Sequence, residues 1–201
     1  MKTLAFGEEN FYKKYHITTV TGKMACAGCC CDSTPISWVS YIITWVALVC
    51  GLVAIFTPYW NEQSDNVNVD FAGLFTQCKD DISNCFSISN ILNAYEGTAF
   101  YDDFLVNLSL QLTGLVALIV AIVLFSVYSC CLSNKYLAYV IIGFLLFAGA
   151  AIVAGATVYG VKWMDYYEAA TTLSWSFGLD VASGGLSLVA GILLIINSCC
   201  L

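Results

Sequence analysis

The sequence contains one histidine, His16, and no arginine at all. A lone imidazole in the amino-terminal segment removes histidine-dependent hydrolases and histidine metal clusters from consideration. A phosphate-cradling glycine loop and a dinucleotide fingerprint are missing too. Charge is scarce: 10% of the residues are Asp, Glu or Lys, against about a quarter in soluble domains. None of this charge sits deep in a long apolar stretch. Asp180 comes nearest, but residues 181–201 follow it without a charge, so it is expected at a membrane interface. Without intramembrane ionisable groups a proton-coupled transporter lacks its working parts. No enzyme activity and no cofactor are expected.

What the chain does have is apolar residues in long runs. They make up 60% of the sequence, and residues 36–59, 104–134, 136–161 and 181–201 carry no charge. A helix crosses a bilayer with about 20 apolar residues, and in hydrocarbon each run must satisfy its own backbone groups by being helical. The first run starts too late and is too long for a secretory signal peptide, and reads as a signal anchor. The expected fold is an all-α membrane bundle of four transmembrane helices, at about 36–59, 105–132, 136–161 and 175–199. Loops 60–104 and 162–174 join them, and a tail, residues 1–35, precedes them.

Topology has to be read from lysine alone. Lys2, Lys13, Lys14 and Lys23 precede the first helix and Lys135 lies between the second and third, so the positive-inside rule puts both termini and the 133–136 turn in the cytoplasm. The long loop 60–104 then faces outside the plasma membrane. It carries Glu62, Asp65, Asp70, Asp80, Asp81, Glu96, Asp102 and Asp103 against Lys79, and accounts for most of the net charge of −7. Such an acidic outer face disfavours nucleic acid or anionic lipid as its partner. The expected partners are membrane lipids and either the chain itself or another integral membrane protein.

The eleven cysteines sort by this topology. Cys78 and Cys85 are the two on the oxidising side, and an isolated pair at that spacing invites a disulfide. Cys50, inside the first helix, reads as a small packing residue. The others cluster at the cytoplasmic edge: Cys26, Cys29, Cys30 and Cys31; Cys130 and Cys131; Cys199 and Cys200. Juxtamembrane cysteines are candidate acylation sites. A zinc reading of Cys26 and Cys29 lacks a second ligand pair.

Residues 66–71 alternate polar and apolar, and residues 86–89 alternate again, so the long loop is expected to hold antiparallel strands tied by the two cysteines. A lone hairpin is marginal, so further strands should complete the sheet. Asp80-Asp81 and Asp102-Asp103 lack the ligand periodicity of a calcium site. The sequon at Asn107 lies too near the membrane for glycosylation. Helices three and four carry small residues at four-residue spacing: Ala150 with Ala154, Ala151 with Gly155, and Ser183, Ser187 and Gly191. Such stripes serve close packing within the bundle or docking to partner helices.

Thr57-Pro58-Tyr59-Trp60, then Gly73-Leu74-Phe75, then Cys78 and Cys85 resemble the W…GLW…C…C pattern of the claudin superfamily. That group contains claudins, peripheral myelin and epithelial membrane proteins, and stargazin-like auxiliary subunits. Here Phe75 stands for the usual tryptophan, and the arginine expected before helix two is absent. The resemblance implies a small extracellular antiparallel β-sheet above a left-handed bundle. Trp60 would anchor that sheet, Gly73-Leu74-Phe75 would be its strand motif, and Cys78–Cys85 its disulfide. The cysteine pairs 130/131 and 199/200 resemble claudin acylation sites. Tyr166, Tyr167 and Trp175-Ser176-Phe177 are similar to the aromatic segment of stargazin-like members. Two functions follow from it. One is a cell-contact protein whose acidic residues Asp65, Asp70, Asp80 and Asp81 favour cations in a paracellular path. The other is an auxiliary subunit of a channel or receptor, docked through Ala151, Gly155, Ser183, Ser187 and Gly191.

Overall fold

The computed structural model describes residues 34–64, 69–79, 84–87, 89, 93, 96–130, 135–166 and 171–199. Among them are four helices long and apolar enough to cross a membrane: α1 (Pro35–Phe56), α2 (Ala99–Cys130), α3 (Lys135–Tyr166) and α4 (Trp175–Cys199). Thr34 caps α1, its side chain accepting from the Ser37 amide, and Pro35 occupies the first turn, where its missing N–H costs nothing. The helix stops before Pro58, whose ring forces the preceding Thr57 out of helical geometry. Thr57 Oγ1 donates back to the Val53 carbonyl at 2.7 Å.

α2 and α3 overrun the uncharged stretches that mark them in the sequence, α2 beginning at Ala99 rather than near 105 and α3 ending at Tyr166 rather than near 161. Each has 32 residues, about 48 Å at 1.5 Å per residue, well beyond a hydrocarbon core of about 30 Å. The overhang is supported from the side, since Lys162 of α3 pairs with Asp103 of α2 at 3.6 Å, and within α2 Phe100 stacks on Phe104. Charge ends an apolar run without ending a helix.

The helices alternate in direction, so Thr34 and Asn197, near the two ends of the described chain, meet in a hydrogen bond. Around the bundle the order is α1, α4, α3, α2, with the α1–α2 seam the thinnest. That seam is held by Tyr41, whose ring lies 5.2 Å from Phe125 and whose hydroxyl is 3.0 Å from Ser126 Oγ. Leu118, Phe125, Ile141, Leu145, Ile152 and Leu194 fill the centre. The outer faces are apolar as well: Trp38, Val39, Ile42, Trp45, Val46 and Val49 all stand exposed on α1. A patch of that extent suits lipid and not water.

At the end away from Thr34 the chain forms one five-stranded antiparallel sheet, from β1 (Asn61–Ser64), β2 (Val69–Ala72), β3 (Thr76–Cys78), β4 (Cys85–Ser87) and β5 (Thr171–Leu173). Its order is β4-β3-β2-β1-β5, so the last strand, from the second loop, closes onto the first, with Asn61 opposite Leu173. Cys78 faces Cys85 across β3–β4 and the two are disulfide-bonded, Cα atoms 4.0 Å apart. Of the alternating residues 66–71, β2 contains 69–71, and 66–68 lie outside the described residues.

Lacking a hydrophobic drive in lipid, the bundle depends on close backbone approach. The tightest α3–α4 contact is glycine on glycine: a Cβ on Gly149 would lie 2.8 Å from the Gly184 carbonyl and 2.7 Å from Leu188 Cγ. Gly149→Ala should therefore destabilise by about 1–3 kcal/mol, read as a lowered melting temperature in detergent. Gly143→Ala, where nothing lies within 4 Å, should leave the melting temperature unchanged or slightly higher.

Candidate functional site

The sheet is joined to the bundle at Trp60 and at the turn that follows β2. Trp60 follows the Thr57-Pro58-Tyr59 exit of α1 and is fully buried. Its indole Nε1–H donates to the Ala54 carbonyl at 2.6 Å, one of the four carbonyls that a helix end leaves without an intrahelical donor. The ring packs edge-on against Tyr159 of α3 at 4.9 Å and Phe177 of α4 at 6.0 Å. The Trp60 backbone belongs to the sheet's network: its N–H donates to Ala72 and its carbonyl accepts from Ser174. Asn61, buried beside it, accepts the Ala72 amide on Oδ1 at 3.1 Å.

Gly73-Leu74-Phe75 is not a strand, as the resemblance implied, but the turn between β2 and β3. Leu74 is fully buried, and Gly73 is pressed against the α1 exit, where a Cβ would meet the Thr57 carbonyl at 2.5 Å and Pro58 Cα at 2.7 Å. Phe75 stacks on Phe56 at 5.9 Å. The turn docks the sheet on α1, so its residues are chosen by the helix below and not by strand pairing. From the other loop, Ser176 reaches Thr57 Oγ1 at 2.7 Å and Trp175 packs on Tyr59 at 5.4 Å.

A five-stranded sheet seated on a four-helix bundle by a buried tryptophan, a glycine turn and a β3–β4 disulfide is accompanied by a match over residues 31–198 to the family model described as tight junction protein, claudin-like. The chain belongs to that family. Comparison with curated proteins returns no match. It is a multi-pass membrane protein of claudin-like fold.

In this claudin-like chain the other singled-out residues are distributed as follows. Asp70 lies in β2 and is partly buried; Asp65, Asp80 and Asp81 fall outside the described residues. Cys130 and Cys199 terminate α2 and α4 at the end opposite the sheet. Cys26, Cys29, Cys30, Cys31, Cys131 and Cys200 fall outside the described residues. Cys50 is a free, half-buried thiol. The small residues divide between the interior and the surface of the bundle. Ala151, Gly155, Ser183, Ser187 and Gly191 all lie inside the bundle, while Ala150 and Ala154 are the exposed ones. Ser183 donates to the Ala47 carbonyl at 2.7 Å and Ser187 to the Leu145 carbonyl at 2.8 Å, binding α4 to α1 and α3.

Asp180 is enclosed by the protein itself. It is 1% exposed in the second turn of α4, and its Oδ2 accepts from Gln111 Nε2 at 2.6 Å. Asn107 and Gln111 of α2 are equally buried, which also closes the sequon at Asn107 to modification. Sequence reasoning passed over Gln111 and saw Asn107 only as a sequon, although Asp103, Asn107 and Gln111 recur every fourth residue and therefore share one helix face.

Trp60 separates its two roles by substitution. Trp60→Ala should cost about 3–5 kcal/mol through the lost ring. Trp60→Phe keeps an aromatic plug but leaves the Ala54 carbonyl only the long contact from Thr57 Oγ1 at 3.4 Å, at about 1–3 kcal/mol. Thermal unfolding of both variants in detergent checks the order.

Proposed function

We propose that the chain is a non-enzymatic cell-contact protein of the plasma membrane, with both termini cytoplasmic and the sheet outside. The observation that carries this reading is the sheet itself, seated on the bundle, with β4 and β5 as its outer strands among the described residues. β4 offers exposed Phe86 at one edge and β5 exposed Leu173 at the other. Unpaired edges and loop tips are surfaces on which copies can associate within one membrane and across two. Lys135 at the helix-only end supports the orientation, as do the four lysines that precede α1 in the sequence.

Glu62 and Asp70 lie in β1 and β2, and the long loop that supplies these strands carries six more acidic residues in sequence. Charge of one sign on a confined path focuses the field and raises the local concentration of counter-ions, so a paracellular route lined by these loops favours cations. The rival reading, an auxiliary subunit of a channel or receptor, has less to stand on. Its docking stripe of Ala151, Gly155, Ser183, Ser187 and Gly191 is occupied by the chain's own helices.

Acyl chains on the three cysteine clusters would hold the cytoplasmic end at the inner leaflet. The helix ends at Cys130 and Cys199 and the start of α1 at Pro35 all fall on that one end. Hydroxylamine-dependent mass tagging should then label the wild type and lose label stepwise as each cluster is changed to serine.

The contact function is tested in epithelial monolayers. Joint substitution of Asp65, Asp70, Asp80 and Asp81 by Asn should lower sodium-over-chloride permeability by about twofold or more, measured as a dilution potential. An unchanged potential removes the cation path. Recovery of a channel or receptor at fixed ratio from native membranes would favour the auxiliary subunit.

A further inference from the structure

The polar stripe on α2 has no part in the contact function. Asp103 lies at its outer end, Asn107 one turn below and Gln111 one turn below that, all turned toward α3 and α4. Asn107, Gln111 and Asp180 are 1%, 0% and 1% exposed. In lipid such residues are costly to bury and as a rule serve a function.

Gln111 has two amide hydrogens to give, and its Nε2 makes two hydrogen bonds, to Asp180 Oδ2 at 2.6 Å and to the Ile152 carbonyl at 3.2 Å. Its Oε1, together with Asp180 Oδ1 and both Oδ1 and Nδ2 of Asn107, has no hydrogen-bond partner among the described residues. The two amides converge. Gln111 Nε2 is 3.0 Å and Asn107 Oδ1 3.2 Å from the one point where a side chain on Gly155 would begin. The glycine keeps that wall of α3 bare.

Above this cluster a cavity of about 10 Å³ opens between α2 and α3 at the sheet end, about the space one water-sized particle occupies. Asn107, Phe104, Tyr159 and the paired Asp103 and Lys162 line it, while Gln111 and Asp180 do not. Lys162 is engaged there at 3.6 Å, on the far side of Asn107 from Gln111 and Asp180 along the stripe.

We propose that Asn107, Gln111 and Asp180 form a binding site for one small monovalent cation, sodium, reached from the sheet end of the bundle. Three side-chain oxygens with free lone pairs make a hard donor set, suited to alkali and alkaline-earth ions and not to the softer metals that seek sulfur or imidazole. One carboxylate among two neutral amides matches a single positive charge. Calcium takes six to eight oxygens, commonly several carboxylates, and magnesium holds its water in octahedral geometry. A cation also supplies what a carboxylate in a lipid-embedded bundle otherwise lacks, a compensating charge at contact distance. The bound ion would link α2 to α4 across Gly155 of α3, stiffening the bundle beneath the sheet.

The test is thermal unfolding of the purified full-length chain in nanodiscs, in sodium chloride against choline chloride at constant ionic strength. The wild type should gain about 3–5 °C for each tenfold rise in sodium above the dissociation constant, and Asp180→Asn should lose this dependence. Radioactive sodium should bind saturably near one per chain, displaced by sodium chloride and not by choline chloride. If Asp180→Asn does not fold, Gly155→Ala locates the site, because its new methyl presses on Gln111 and should weaken sodium binding about tenfold or more. Equal melting in the two salts, or no saturable binding, overturns the proposal in favour of bound water. A sodium response retained in Asp180→Asn, or in Gly155→Ala where that variant serves, overturns it in favour of the acidic loop.

Discussion

The hydrogen bond from the Trp60 indole to the Ala54 carbonyl sits where three requirements meet. α1 must end before Pro58, its last carbonyls must find donors in a place with little water, and the chain must enter a sheet within a few residues. The indole supplies the donor, its ring fills the space between α1, α3 and α4, and its backbone starts the sheet's network. Because Trp60 is anchored below, the register of everything above is set from it. Ala72 meets its N–H, which aligns β2, and Ser174 meets its carbonyl, which aligns β5. The disulfide then fixes β4 to β3, the strand most distant from that anchor apart from β4 itself. The sheet is thus held at its centre by packing and toward one edge by a covalent bond, an economical arrangement for strands of three or four residues.

The helices were legible in the sequence because lipid imposes a crude rule, about 20 apolar residues without charge, that needs no tertiary information. Where tertiary contacts decide, the rule fails. Asp102 and Asp103 look like the end of a loop, yet the pairing of Asp103 with Lys162 lets α2 and α3 run on past the membrane-length segment. β5 has no alternating signature of its own and exists because β1, more than a hundred residues earlier, offers an edge. Gly73-Leu74-Phe75 reads as strand from its motif, but Leu74 must turn down into the bundle, which makes a turn of it. The small-residue stripes were visible while their direction was not. Ala150 and Ala151 are one residue and about 100° apart on a helix, so one stripe faces lipid and the next faces α2.

Asp180 shows the same limit from the energetic side. Its position near the start of an uncharged run suggests an interface residue, since a carboxylate there can reach water. What draws it inward is Gln111, on a helix far away in sequence, whose amide reaches it at 2.6 Å. The neighbouring Asn107 was legible only as half of a glycosylation signal, and the four-residue recurrence that joins it to Asp103 and Gln111 has meaning only once α2 is known to face α3 and α4 along that side.

This buried polar stripe and the small-residue contacts solve complementary problems. Glycine and serine let the helices approach closely, but smooth surfaces of that kind tolerate sliding and rotation. A polar group in hydrocarbon does not, because a slip of one residue would turn Gln111 about 100° away from both the Ile152 carbonyl and Asp180. The penalty for leaving those groups unpaired in a low dielectric far exceeds any change in dispersion contacts. Close packing therefore supplies the attraction among α2, α3 and α4, and the polar stripe selects the single register in which it acts. Trp60 needs that selection, since its ring fits only if Tyr159 of α3 and Phe177 of α4 stand at matching heights. The orientation of the sheet is in this way decided by polar contacts well below it.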